Sequence, residues 1–310
     1  MMMAAWMRSL LRSRAAASSA AARSEASPSP LGMPRLLAAY SSSAATEDGR
    51  ARRRPKIVVV GGNGFVGSAV CEAAVARGAE VTSVSRSGTP ALGRPVGARG
   101  DHQPAWAWVD EVRWEAGDAF RAKDWPDALL DGADGVVTCV GAFGSHAAMR
   151  RICGESNVAV VEAAHDRGVP RMAFISAHDF GFPLRSALRG YYEGKDMAED
   201  AMFARFPGGS GAALRPGMIH GTRHVPLPPP VAGLLARGSL PVPLSLVGQP
   251  LRAAMAVLAP TPTASGVLVP PVSAAAVGRA AVSSVLDPPP AGGPDEGRII
   301  DAWEILAMEP

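Results

Sequence analysis

The stretch Lys56-Ile-Val-Val-Val-Gly-Gly-Asn-Gly-Phe-Val-Gly67 constrains the fold more than any other part of the chain. Its four β-branched residues, Ile57 to Val60, form the short apolar run expected of a strand buried on both faces. Gly61, Gly62, Gly64 and Gly67 follow, and an Ala-rich helical pattern runs from Ser68 to Arg77. Gly61 and Gly62 allow a sharp exit from the strand, Gly64 lets backbone approach a pyrophosphate, and Gly67 lets the helix pack on the strand. With Asn63, Phe65 and Val66 the loop is complete, and the first helical N–H groups then point at negative charge. Glycine is common here, at 34 of 310 residues, so the spacing alone is weak. The strand before and the helix after favour a dinucleotide turn over a ligand-free one.

Apolar residues make up 47% of the chain and charged residues 19%, enough for a sizeable core. The formal net charge of +3 is unevenly spread. The first 56 residues hold ten of the 31 Lys/Arg and three of the 28 acids, so the remainder carries 21 bases against 25 acids. A slightly acidic body without a basic stripe argues against nucleic acid as a partner.

Residues 1–45 read as an address. Arg8, Arg12, Arg14, Arg23 and Arg35 stand against one acid, Glu25, among many Ala and Ser, and Met7, Leu10 and Leu11 suit an amphipathic targeting helix. Arg35-Leu-Leu-Ala-Ala-Tyr-Ser-Ser-Ser43 is similar to a plant-type mitochondrial cleavage region. The density of arginine from the first turn points to the mitochondrial matrix, with a plastid address as the competing reading. Residues 46–55 then form a basic linker. Cys71, Cys139 and Cys153 have no metal-type spacing and read as free thiols, which suits a reducing compartment. The uncharged run 253–278 is divided by Pro260, Pro262, Pro270 and Pro271, so no continuous transmembrane span is expected. Peripheral contact with an inner membrane remains compatible.

Along the body, strands and helices alternate. After the first strand and helix, Glu80–Val84 is predicted as a strand, residues 87–110 as an irregular loop, and 112–114 as a strand ending at Gly117-Asp118. A helix around 125–130, a strand over 135–140, a long helix from about 147 to 167, stopped by Gly168 and Pro170, and a strand over 171–176 complete five βα steps. The expected class is α/β, a doubly wound parallel sheet with helices on both faces. Residues 274–286 read as the final helix and 298–303 as a last strand.

Several positions carry chemistry. Arg86 ends the second strand, where an acid would hold the 2′-hydroxyl of NAD; an arginine there can pair with the 2′-phosphate of NADP instead. NADP is the expected cofactor, with NAD the alternative. Asp118 borders the adenine pocket or caps the segment after it. Gly141, at the exit of the fourth strand, lets backbone approach a ribose. Ser176 ends the fifth strand, and Tyr191 and Lys195, four residues apart, share a helix face. An ammonium near a phenol favours the phenolate, so Tyr191 is expected to exchange a proton with a substrate oxygen while Ser176 hydrogen-bonds the same oxygen. No metal site is expected.

These pieces, Gly61-Gly-Asn-Gly-Phe-Val-Gly67, Ser176, Tyr191-x-x-x-Lys195 and Arg215-Pro-Gly-Met-Ile-His-Gly221, resemble the short-chain dehydrogenase/reductase superfamily in its extended or atypical branch. Val140-Gly-Ala-Phe-Gly144, Ile175-Ser-Ala-His-Asp-Phe-Gly181, Gly190-Tyr-Tyr-Glu-Gly-Lys195 and Val269-Pro-Pro-Val-Ser273 are similar to a plant group of mitochondrial and plastid proteins. That group is related to the yeast coenzyme Q biosynthesis dehydrogenase-like protein and, more distantly, to the Rossmann-fold accessory subunit of respiratory complex I. The resemblance spans about 56–305. It implies a Rossmann domain over 56–224 and a C-terminal substrate or cap region over 225–310 that completes the fold. It also implies an NAD(P)-dependent oxidoreductase linked to ubiquinone metabolism, or else a non-catalytic cofactor-bound subunit of a mitochondrial protein complex. The apolar, proline-rich C-terminal region suits a small apolar substrate such as a quinone or a prenylated intermediate. One departure stands out: Cys153-Gly154 occupies the place where the branch is expected to carry Asn-Gly, and Asn157 lies one turn on.

Overall fold

Every residue of the apolar run Ile57–Val60 is buried, with alternate side chains entering two different cores. Ile57 and Val59 join one cluster, with Val70, Cys71, Val277 and Ala280. Val58 and Val60 join the other, with Val160, Val161, Met172 and Met202. A strand apolar on both faces must lie inside a sheet covered on both sides, and this strand does. The structure is a computed structural model that describes residues 53–90, 107–226, 239–244, 246, 269–287 and 297–309. The address over 1–45, most of the linker, residues 91–106 of the expected loop and much of the proline-rich region after 226 lie outside the described residues.

Strands β1 (Lys56–Val60), β2 (Glu80–Ser85), β3 (Val112–Ala116), β4 (Gly135–Thr138), β5 (Met172–Ile175), β6 (Gly211–Arg215) and β11 (Arg298–Asp301) form one sheet. Its order is β11-β6-β5-β4-β1-β2-β3, and every neighbouring pair is parallel. The chain runs outward from β1 through β2 to β3, then returns to place β4 on the other side of β1. Strand order therefore reverses between β1 and β4, which opens a crevice at their carboxyl ends. Short pairs β7 (Ile219–His220) with β10 (Val272–Ser273), and β8 (Thr222–Pro226) with β9 (Ser239–Pro243), lie beyond β6 in sequence.

Helices α1 (Phe65–Ala76) and α4 (Ala274–Leu286) cover one face. They approach closely because Gly278 has no side chain to meet the Ala69 carbonyl. Helices α2 (Ser156–Asp166) and α3 (Arg189–Arg205) cover the other. The doubly wound parallel sheet expected from the alternation is the architecture found. Three details differ from expectation. The long helix over 147–167 is broken by a π turn at Arg151–Glu155, between a short helix at His146–Arg150 and α2. Strand β11 stops at Asp301, because a capping box between Asp301 and Glu304 starts helix α5 (Ala302–Leu306). Strand β6, Gly-Ala-Ala-Leu-Arg, has only one residue larger than Ala in its apolar run and gave no strand signal; its parallel partners β5 and β11 hold it extended.

Burial governs the thiols. Cys71 and Cys153 are fully buried, and Cys139 is half-buried at the exit of β4. Desolvation raises the Cys71 thiol and carries Cys139 from 9.0 to about 12, opposed only in part by Lys195. Above about pH 9 the unfolded chain loses these protons while the folded chain keeps them, so stability falls as pH rises toward 12. A thiol reagent at pH 8 is expected to modify native Cys139 slowly, and Cys71 and Cys153 only after unfolding, as read by peptide mass spectrometry.

Candidate active site

The glycine turn sits in the crevice between β1 and β4. Gly61 adopts φ +82°, in the left-handed region, directly after Val60. Its N–H donates to the Val84 carbonyl at 2.8 Å, and its carbonyl accepts from Gly64 N–H at 2.9 Å. A Cβ on Gly67 would collide with the Gly61 carbonyl oxygen and lie 2.8 Å from Gly62 Cα. Gly64 is the N-cap of α1 and supplies no capping side chain. The helix therefore begins with bare N–H groups at Phe65, Val66 and Gly67, and Ser68 is the first to bond back, to the Gly64 carbonyl at 2.9 Å. A cradle without side chains, with a helix N-terminus aimed into it, fits a pyrophosphate.

Arg86 follows the last residue of β2 and is exposed; among the described residues it has no hydrogen bond or ion pair. Beside it, Asn63 Nδ2 donates to Ser87 Oγ at 3.1 Å and ties the glycine turn to the end of β2. Asp118 caps the turn after β3, its carboxylate accepting from Phe120 N–H at 3.0 Å. Of the two readings open for Asp118, capping is the contact made here.

At the carboxyl end of β5, Lys195 and Ser176 come together. The Lys195 ammonium is buried and donates from Nζ to the Ile175 carbonyl at 2.6 Å, directly before Ser176. Ser176 Oγ is buried without a hydrogen-bond partner. An orphaned buried hydroxyl is costly to keep unless another molecule satisfies it. Tyr191 lies one turn before Lys195 on α3, with Lys195 Nζ 5.6 Å from its ring centroid, while Phe143 stacks on the ring at 5.1 Å. A Cβ on Gly141 would stand 3.6 Å from Lys195 Nζ and 3.9 Å from Cys153 Sγ, so the exit of β4 borders the same place.

The protonation states differ from the sequence expectation. Burial, with Cys153 and Tyr192 as smaller causes, pushes the Tyr191 phenol up, and burial pushes Lys195 down. The reason is geometric. The Lys195 ammonium is spent on the Ile175 carbonyl, no hydrogen bond joins it to Tyr191 Oη, and the phenol ring is walled by aromatic groups. Tyr191 therefore stays protonated across the physiological range.

Three supports were given no structural role by the sequence reading. Asn157 Oδ1 accepts from Thr138 Oγ1 at 2.6 Å, while its amide donates to the Cys153 carbonyl at 2.8 Å and the Val140 carbonyl at 3.1 Å. It holds the π turn to the exit of β4; the sequence marked Asn157 only as lying one turn past Cys153-Gly154. Gly154 and Gly194 let the π turn and α3 touch backbone to backbone, which brings Lys195 under β4. Glu199 and Arg215 form a two-pronged ion pair at 3.1 and 2.5 Å that fastens α3 to the end of β6. Glu199 is 5% exposed and Arg215 36%. Arg215→Met leaves a buried carboxylate unpaired and is expected to cost about 3 kcal/mol in urea unfolding, the low end for a buried pair because the arginine is partly solvated. Glu199→Gln frees an arginine that water can reach and is expected to cost less.

A family model described as the NAD dependent epimerase/dehydratase family matches residues 57–181, from β1 through Ser176 to Gly181. An uncharacterized chloroplastic protein of Arabidopsis thaliana is 39% identical over 239 residues, 75% of this chain and 72% of its own length. The chain belongs to the NAD-dependent epimerase/dehydratase family. Another relative, MIOREX complex component 2 of Saccharomyces cerevisiae, is 40% identical over 87 residues, 28% of each chain. Among solved structures, the Bordetella bronchiseptica enzyme WbmH in complex with NAD+ aligns at 15% identity and a TM-score of 0.46, covering 75% of this chain and 73% of its own. A short-chain oxidoreductase from Burkholderia thailandensis aligns at 14% identity and 0.47, covering 81% and 93%. In this family member the glycine turn and the β5 edge stand on the two sides of the same crevice. Among the described residues no group of His, Cys, Asp or Glu is arranged to hold a metal, and no helix is long and apolar enough to cross a membrane.

Proposed function

We propose that this chain is an NADP(H)-dependent reductase acting on a carbonyl or quinone-ring oxygen. The observation that carries the reading is the orphaned, buried Ser176 hydroxyl beside the Lys195 ammonium at the end of β5, with a protonated Tyr191 one turn away. A bound nicotinamide dinucleotide would supply the hydride. The N–H groups of Phe65, Val66 and Gly67 would hold its pyrophosphate, and the free Arg86 guanidinium, with Asn63 and Ser87 beside it, would select the 2′-phosphate. Ser176 Oγ would donate to the substrate oxygen and fix its position. Tyr191 Oη would deliver the proton that this oxygen takes up, and Lys195 would hold the loop carrying Ser176 through the Ile175 carbonyl.

The substrate is proposed to be a small apolar molecule, a quinone or a prenylated ring, because Phe143, stacked on Tyr191, and Phe180 and Phe182, in the segment after Ser176, are exposed. This links the chain to ubiquinone-type metabolism in an organelle. The arginine-dense leader favours the mitochondrial matrix and the chloroplastic Arabidopsis relative favours the plastid; a fluorescent fusion of residues 1–55 separates the two. A second reading, a cofactor-bound subunit of an organellar complex, is favoured by the yeast MIOREX component among the relatives. The assay is NADPH oxidation by the purified protein with a panel of benzoquinones and ketones. Consumption above the protein-free rate supports the reductase; tight NADPH binding with no consumption, together with co-purification in a large assembly, supports the subunit.

A further inference from the structure

Three groups surround the ring of Tyr191. Phe143 stacks on it with centroids 5.1 Å apart and planes 16° from parallel. Tyr192 meets it edge-on at 5.5 Å, and Lys195 Nζ lies 5.6 Å from its centroid. Two of the three are locked. Tyr192 is 4% exposed and donates from Oη to the His178 carbonyl at 3.2 Å. Lys195 is 5% exposed and bonded to the Ile175 carbonyl.

Phe143 is neither buried nor tied. It is 74% exposed, lies outside helix and strand between Gly141 and Gly144, and its stack on Tyr191 is its one ring contact among the described residues. A phenylalanine so exposed gains little from burial, yet it covers a face of the residue proposed to meet the substrate. Ser176 Oγ, which follows the last residue of β5, is buried and has no hydrogen-bond partner among the described residues. The stack covers a site that a substrate must reach, and its outer member is the one wall able to leave.

We propose that Phe143 is a placeholder that the substrate replaces: a planar, oxygen-bearing unsaturated ring takes its position on Tyr191, so the site selects quinone-like rings over saturated carbonyl compounds. This deepens the reductase reading and rests on its placement of Tyr191 at the substrate. Exchange of one flat ring for another conserves the stacking lost when Phe143 leaves; a puckered saturated ring cannot restore it.

The test is equilibrium binding of 2,3-dimethoxy-5-methyl-1,4-benzoquinone and of cyclohexanone to the full-length protein, to Phe143→Ala and to Phe143→Leu. Removing the placeholder is expected to tighten quinone binding roughly threefold to tenfold, the worth of one aromatic stack. Leucine covers the face without a ring and is expected to give a smaller gain, which separates competition by the ring from collapse of the loop. In every variant the quinone is expected to bind roughly threefold to tenfold tighter than cyclohexanone. Quinone affinity unchanged or weakened by Phe143→Ala, cyclohexanone bound as tightly as the quinone, or no quinone binding by any of the three proteins would overturn the proposal. Quinone binding that responds as stated while NADPH is never consumed sinks the reductase reading alone. Turnover with an affinity indifferent to Phe143 sinks the placeholder alone.

Discussion

Tyr191→Phe is expected to lower NADPH-dependent turnover by roughly 10²- to 10⁴-fold, the usual worth of a positioned general acid, while leaving the fold and cofactor affinity in place. The change removes one oxygen and keeps the ring, so the stack with Phe143 and the edge contact with Tyr192 survive. No hydrogen bond from Tyr191 Oη to another described residue is lost with it. The phenol, raised by burial, stays protonated and so carries the proton that a reduction takes up. The loss should therefore fall on kcat, with KM for a quinone moving little, because an interaction made as the proton is transferred acts on the chemical step. Equal turnover by the phenylalanine variant would remove Tyr191 from the chemistry and return the site to a binding role. The comparison is made in steady-state NADPH oxidation, with thermal unfolding as the control.

Gly67→Ala is expected to disable the other half of the site. The added methyl meets the Gly61 carbonyl and lies 2.8 Å from both the Gly61 carbonyl carbon and Gly62 Cα. These are backbone atoms in the tightest part of the turn, so no side chain can swing away to make room. Overpacking of this kind costs about 3 kcal/mol. Relief requires α1 to move off β1, which carries the N–H groups of Phe65, Val66 and Gly67 away from the pyrophosphate. Each charge-assisted hydrogen bond lost is worth about 1.5–3 kcal/mol, so NADPH affinity should drop by at least roughly tenfold. A cofactor titration beside a urea melt reads both effects. By contrast, Gly78 has φ +73° with open space around it, and Ala there should strain one residue without touching cofactor affinity.

The fold was legible in the sequence where local pattern and tertiary role coincide. Ile57–Val60, the glycine turn and α1 follow from residues that suit nothing else, and of the seven strands in the sheet only β6 was not expected. Strand β6 is mostly Gly and Ala and is extended because β5 and β11 hold it; nothing local specifies it. The π turn at Arg151–Glu155 is equally invisible, since a helical pattern with one extra residue in a turn still reads as a helix.

The site was legible in its residues and less so in their states. Ser176, Tyr191 and Lys195 follow from strand-end position and helix periodicity, and the structure places them at the end of β5 and the start of α3. The direction of the Tyr191 shift was not readable, because it follows from burial of the ring, and Phe143, which lies over it, is remote in sequence. Asn157 shows the same limit: contacts from one buried amide fix the exit of β4, and spacing alone cannot reveal a network closed by Thr138 and the carbonyls of Val140, Ile152 and Cys153.

The claim at the centre of this account is that the crevice between β1 and β4 holds NADP(H). It is tested most directly by titrating the full-length protein with NADPH and NADH, following nicotinamide fluorescence, and repeating both titrations with Arg86→Ala. Saturable binding of both is expected, with NADPH tighter by roughly tenfold, since an exposed guanidinium on a phosphate is worth the lower end of a charged hydrogen bond. Arg86→Ala should erase that preference and leave NADH affinity unchanged. Failure of both cofactors to bind, or NADH binding the tighter, would contradict it.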